Sequence, residues 1–123
     1  MAHPSASWTD AQIIAVARSI YNSPVLGEIR GAHQAGQPIV VSIDGCNIQY
    51  EPLPFSGMTA FPNGFVIGKE AFASEPELKK TLLHELYRLC RSAISQGADA
   101  ERASIRAETN AAFEFAERAF QMI

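Results

Sequence analysis

His84 and Glu85 stand side by side in the stretch LKKTLLHELYRLC, Leu78 to Cys90, with Arg88 one helical turn after His84 and Arg91 close behind. An imidazole and a carboxylate are the groups that move protons in hydrolytic sites, and a guanidinium fork matches phosphates and carboxylates. Leu78, Leu82, Leu86, Leu89 and Ala93 recur at helical spacing, with Leu83 and Cys90 on the flank, so the stretch predicts an amphipathic helix. At about 100° per residue, His84 falls nearly opposite this stripe, on the side shared by Lys80, Tyr87, Arg88 and Arg91, and Glu85 lies between the two faces. Two readings of His84 follow: a proton-transfer group or metal ligand, or a solvated histidine on the polar side of a helix. Arg88 and Arg91 divide in the same way, into two solvated charges or an anion holder beside the imidazole. Two solvated charges are the commoner case, and the shared face with His84 narrows the gap between the readings.

A metal-dependent site asks for more than His-Glu. In H-E-x-x-H on a helix, two histidines one turn apart grip one ion and the glutamate activates its water. Arg88 occupies the second histidine position here, and a guanidinium stays protonated and cannot ligate a cation. His3 and His33 are the remaining histidines, both in the N-terminal part. The second candidate lies in the last helical segment, where Thr109 falls inside the apolar arc and Glu108 at its edge. Inward polar groups need partners. Thr109 either bonds back to its own helix or, with Glu108, meets His84 across two packed helices. Alanines at 107, 111 and 112 would allow close approach. Tyr50 and Tyr87 read as packing or rim residues, Tyr87 sharing the His84 side. Cys90, beside the apolar stripe, reads as a core thiol rather than a nucleophile.

The elements that must carry these groups are legible in order. Residues 1–8 form a lead-in. Thr9, with Gln12 three residues on, predicts a capped helix bearing Ile13, Val16, Ala17, Ile20 and Tyr21. Ser23-Pro24 starts a second helix that ends at Gly36. The period then changes: Pro38 to Ile43 and Cys46 to Glu51 alternate around Asp44-Gly45, which predicts a hairpin. Met58 to Phe61 and Phe65 to Ile67 predict a second one around Asn63-Gly64. Ser74 and Glu77 cap the central helix, Ser95 to Ala98 breaks it, and a last helix runs from about Asp99 with Ile105, Ala112, Phe113, Ala116, Phe120 and Ile123 as its apolar side. The fold class expected is α+β in a single domain, 1–123: N-terminal helices, a small antiparallel sheet of two hairpins, and two packed C-terminal helices.

Composition narrows the functions. The 123 residues are 47 % hydrophobic, with a net charge of −3 and an isoelectric point near 5.5, unlike the basic balance of most nucleic-acid binders, although a local basic patch stays compatible with it. Two cysteines, Cys46 and Cys90, are too few for a disulfide scaffold and read as reduced. No run approaches the roughly 18 apolar residues of a membrane span, and no signal segment opens the chain.

The block GFVIGKEAFASEPELKKTLLHELYRL, Gly64 to Leu89, resembles the strand, connector and active-site helix of zincin-like metallopeptidases. The resemblance implies His84 as first metal ligand, Glu85 as general base, and Glu108, in ETNAAFEFAERAF, as third ligand to a zinc ion, with Arg88 replacing the second histidine. The same block also resembles the C-terminal toxin domains of bacterial polymorphic toxins of the contact-dependent inhibition and Rhs type. That resemblance implies a tip secreted as part of a larger protein, an intracellular target macromolecule in the cytoplasm of the receiving cell, and a cognate immunity protein over the His84 face. Three functions follow: a hydrolase with a modified zincin-like site, in which Arg88 holds an anion and Arg91, Thr109 and Tyr87 contact substrate; a metal-independent ribonuclease using His84, with Arg88 and Arg91 on phosphate; and a non-catalytic binding module.

Overall fold

The computed structural model describes residues 8–43, 45–60, 63–91 and 102–123, without the side chains of 90, 91 and 102–108. The readings of residues 1–7, Asp44, the break at 95–98 and the helix start at Asp99 lie outside the described residues, as does the side chain of Cys90 and with it any Cys46–Cys90 pairing.

Local chemistry sets the N-terminal helices. Thr9 Oγ1 accepts from the Gln12 N–H at 3.1 Å, and the Thr9 N–H donates to Gln12 Oε1 at 2.7 Å. This reciprocal cap opens α1 (Asp10–Tyr21). Ser23 caps α2 (Pro24–Ala35) by accepting from the Val25 N–H, and Gly36, left-handed at φ 68°, ends it. The strands follow as β1 (Ile39–Ile43), β2 (Cys46–Tyr50), β3 (Gly57–Ala60) and β4 (Gly64–Ile67). A 3-10 turn, Lys69–Ala73, leads to α3 (Glu75–Arg91), which is followed by α4 (Arg102–Ala119) and a closing turn, Phe120–Met122. The Ser74 hydroxyl accepts from the Glu77 N–H at the start of α3.

The fold class is α+β, with the two hairpins and the two packed C-terminal helices that the sequence implies. The sheet order is β1-β2-β4-β3. Each hairpin is antiparallel, but they join through a parallel pair, β2 with β4, so the sheet is mixed. The cause lies in residues 51–56. Pro52 and Pro54 cannot donate to a ladder, so this segment passes the end of β4, held by Lys69 N–H to Leu53 O, Glu70 N–H to Phe55 O and Gly68 N–H to Ser56 O. The chain then enters β3 at the far edge and returns as β4 in the middle.

One sheet face packs on the helices: Ile48 and Tyr50 of β2 and Phe65 and Ile67 of β4 meet Ile13, Ile20 and Ile29 from α1 and α2 and the leucines of α3. The Tyr50 hydroxyl, fully buried, lies 2.8 Å from His33 Nδ1, and His33 stacks on Phe72 at 4.3 Å, so Tyr50 is a core residue with a satisfied polar end. At the first turn of α3, Glu75 accepts from the Tyr21 hydroxyl and from both Arg30 terminal nitrogens, at 2.7 and 2.9 Å. The Arg30 fork and the Tyr21 hydroxyl hold the Glu75 carboxyl down to about 2. This exposed clamp joins α1, α2 and the start of α3.

Helix α3 is the centre of the molecule, with α1, the β3–β4 edge and α4 all packed against it. The buried side of α4 is Ala112, Phe115, Ala116 and Ala119. Phe113, read from the sequence as apolar lining of that helix, is 57 % exposed, because the buried arc runs through Phe115 instead.

At Gly64 β4 has no room for a side chain against β2, since an added Cβ would sit 2.4 Å from the Asn47 carbonyl oxygen. Gly64→Ala should therefore push the parallel pair apart and cost about 2–3 kcal/mol in urea unfolding, whereas a β-branched residue at solvent-facing Val40, such as Val40→Thr, should change stability little.

Candidate functional site

Glu85 is 3 % exposed and His84 9 %, both on α3. The solvated reading of His84 therefore fails. Periodicity placed the residue opposite the leucine stripe, and α4 covers that side. The Phe113 ring of α4 lies 4.3 Å from the imidazole, tilted by 42°. His84 Nδ1 is buried without a hydrogen-bond partner, and Nε2 lies 4.0 Å from Glu85 Oε2.

The carboxylate of Glu85 is held from the sheet. Thr59 of β3 donates its hydroxyl hydrogen to Oε1 at 2.6 Å. Gly57, two residues earlier on the same face of β3, leaves room for the other oxygen: a Cβ there would come within 2.9 Å of Oε2. A strand places residues i and i+2 on one face, so one short edge strand supplies both a donor and a gap. Thr81, one turn before Glu85, also packs on Gly57 and bonds back to the Glu77 carbonyl at 2.9 Å.

Environment moves the two neighbours in opposite directions. Burial, and next to it the positive charge of Arg88, lowers the His84 imidazole from 6.5 to about 4, with the Ala112 carbonyl pulling the other way. Burial raises the Glu85 carboxyl above its usual range, against the Thr59 hydrogen bond and the Arg88 charge. At neutral pH His84 is thus an uncharged imidazole, and Glu85 is a carboxyl with raised proton affinity. Burial thus brings the imidazole and the carboxyl closer in proton affinity than they are in water, and perturbed titratable neighbours of this kind mark a candidate site for proton transfer.

A cavity of about 190 Å³ opens on this pair. Its α3 wall is Glu77, Lys80, Thr81, His84 and Glu85, its sheet side is Ser56 and Gly57, and its α4 wall is Phe113, Ala116 and Glu117. Lys80 is held by Glu117 at 3.0 Å and sits 4.7 Å from the centre of the Phe120 ring.

The other sequence candidates take different places. Arg88 is half-buried, with its Nε buried and without a hydrogen-bond partner; it is not part of the cavity lining and acts on His84 and Glu85 through its charge. Tyr87 packs on Phe115 at 5.2 Å, in the seam between α3 and α4. Thr109 is half-buried on α4, away from the cavity wall. The side chains of Glu108 and Arg91 lie outside the described residues, so their expected roles as third ligand and substrate contact do too. Sequence reasoning missed Thr59, Gly57, Phe113 and Glu117. Alternation along β3 marks Thr59 and Gly57 as sharing a face, but nothing local says which helix residue they meet.

Zinc fits the described donors poorly. Among the described residues no three His, Cys, Asp or Glu side chains converge. Glu85, the carboxylate nearest His84 among the described residues, is engaged by Thr59, and the Arg88 charge acts on both groups; the side chain of Glu108, the expected carboxylate ligand, lies outside the described residues. No family model, curated protein or solved structure matches the chain.

Burial of a neutral imidazole makes stability depend on pH. The unfolded chain takes up the His84 proton around pH 6.5 and the folded chain only near 4. The His84 contribution is therefore complete above 6.5 and is lost as pH falls from 6.5 towards 4. Glu85, raised, contributes in the opposite sense, losing stability as pH rises above its unfolded value of 4.5. Wild type should consequently lose on the order of 2 kcal/mol more than His84→Gln between pH 7 and pH 4, measured by urea unfolding at each pH.

Proposed function

We propose that this chain is the toxic module of an interbacterial toxin and acts as a hydrolase through His84 and Glu85. The observation that carries the catalytic part is the buried, adjacent imidazole and carboxyl on the wall of a cavity, with burial lowering the proton affinity of the first and raising that of the second. The likeness of Gly64 to Leu89 to polymorphic-toxin tips supports the biological part.

In this reading Glu85 is the general base. Its raised proton affinity brings it nearer to neutral pH, where a base works best. It takes a proton from an attacking water in the cavity and returns it to the leaving group. His84 is the neutral imidazole that donates to the charge developing on the attacked group. Thr59 fixes the carboxylate, Gly57 leaves space for it, and Arg88 offsets its burial through its charge; these three are positioning residues. The module travels as part of a larger secreted protein and works in the cytoplasm of the target cell, and a cognate immunity protein that caps the cavity protects the producer. Among the described residues no helix is long and apolar enough to cross a membrane.

A ribonuclease reading draws on Arg88 as a phosphate contact. The absence of Arg88 from the cavity lining, together with the carboxylates of its wall, makes a phosphate backbone a poor occupant. A purely binding role leaves the burial of two ionisable neighbours without a use.

Inducible expression in a bacterial cytoplasm tests the proposal. Wild type should arrest growth, and His84→Gln and Glu85→Gln, confirmed as folded by circular dichroism, should each weaken the effect by at least about tenfold, equivalent to roughly 1.4 kcal/mol of barrier. Folded variants that remain fully toxic would overturn the catalytic roles.

A further inference from the structure

The cavity has a chemical preference that the proton-transfer pair does not itself dictate. Phe113 is 57 % exposed although its ring packs on His84, so an aromatic face stands open at the mouth of a cavity. Glu77 and Glu117 stand on opposite walls, one on α3 and one on α4. Lys80 does not cancel both: its ammonium is already matched by Glu117 at 3.0 Å and by the Phe120 ring. His84 adds no positive charge at neutral pH, and nine-tenths buried, with Nδ1 lacking a partner, it leaves the inner wall short of a hydrogen-bonding group. An aromatic face flanked by carboxylates attracts cations, through the ring quadrupole and through charge.

We propose that this cavity binds an alkylammonium or guanidinium group of the substrate, with the Phe113 ring as its platform and the Glu77 carboxylate as its counter-charge, while Glu117 keeps Lys80 neutralised. Two sources share that chemistry, a lysine or arginine side chain of a polypeptide and a free polyamine. Phe113 is then a specificity-determining residue. The group it holds sets the distance between the ligand and Glu85, so the cleaved bond lies within a few atoms of a cationic centre. This inference rests on the reading of the cavity as a substrate site. It is tested by binding alone, so that loss of cation binding and loss of toxicity can be told apart.

The test is a heteronuclear NMR titration of the full chain at neutral pH with Nα-acetyl-lysine amide, Nα-acetyl-arginine amide, spermidine, the uncharged Nα-acetyl-norleucine amide, inorganic phosphate and a short RNA. The expected result is saturable shifts at Phe113, Ala116 and Glu117 with the cationic probes, and binding of the norleucine amide weaker by about threefold to tenfold, the range of an exposed cation–π contact plus one carboxylate. Phe113→Leu, which keeps apolar bulk but removes the ring, should weaken cation binding, while Phe113→Tyr should retain it. Glu77→Gln should weaken it directly, Glu117→Gln should weaken it by leaving the Lys80 ammonium unmatched in the cavity, and added salt should weaken it too. Tighter binding of spermidine than of the lysine amide would assign the group to a polyamine, and the reverse to a polypeptide side chain. Equal binding of norleucine and lysine amides, or shifts at Phe113 produced by phosphate or RNA instead, would overturn the proposal.

Discussion

Helix α4 lies across the polar side of α3, and the arrangement of the site depends on that contact. Ala112, Ala116 and Ala119 let the two helices come close, and Phe115 fills the seam beside Tyr87. Without α4, the imidazole at 84 would face water and titrate as an ordinary histidine. With α4 in place the charged form loses its hydration, and burial favours the neutral ring. The same contact builds one wall of the cavity and presents Phe113 at its mouth.

Glu85 is held by opposing forces. Burial raises its proton affinity, while the Thr59 hydroxyl and the Arg88 charge stabilise the carboxylate. An isolated buried carboxylate is costly, so one that persists needs such partners. Its partners come from two directions: Arg88 from the next turn of its own helix, and Thr59 from an edge strand far away in sequence. That strand reaches the site because the segment with Pro52 and Pro54 passes the end of β4 and delivers β3 to the outside of the sheet. A simple run of hairpins would have put β3 next to β2 and left the carboxylate without its donor.

Arg88 shows how one residue changes a site's chemistry. In an H-E-x-x-H helix the fifth position faces the same way as the first and completes a metal grip. An arginine there acts on the same two groups with a fixed positive charge. It depresses protonation of His84 and favours the ionised form of Glu85. Like a metal ion it favours the ionised carboxylate, but Arg88 is not among the residues that line the cavity. The cavity itself is then governed by its carboxylates and its exposed ring.

Much of this protein is written locally. The Thr9–Gln12 box, the Ser23-Pro24 start, the Gly36 stop and the leucine stripe of α3 each act over one or two turns, so the sequence alone determined the helices, the two hairpins, the α+β class and the adjacency of His84, Glu85 and Arg88 on one helix. A helical wheel has one apolar stripe and assigns everything opposite it to water. It cannot register a second helix packing on that other side, so it left His84 open between solvent and a site and counted Phe113 on the apolar side, whereas His84 is buried and Phe113 exposed. The tertiary structure alone decided that the imidazole is buried and neutral, that Thr59 and Gly57 receive the Glu85 carboxylate, and that Phe113 stands open beside Glu117. The reason is that each of these contacts joins elements whose meeting depends on chain crossing and helix docking, and no periodicity within a single element records either.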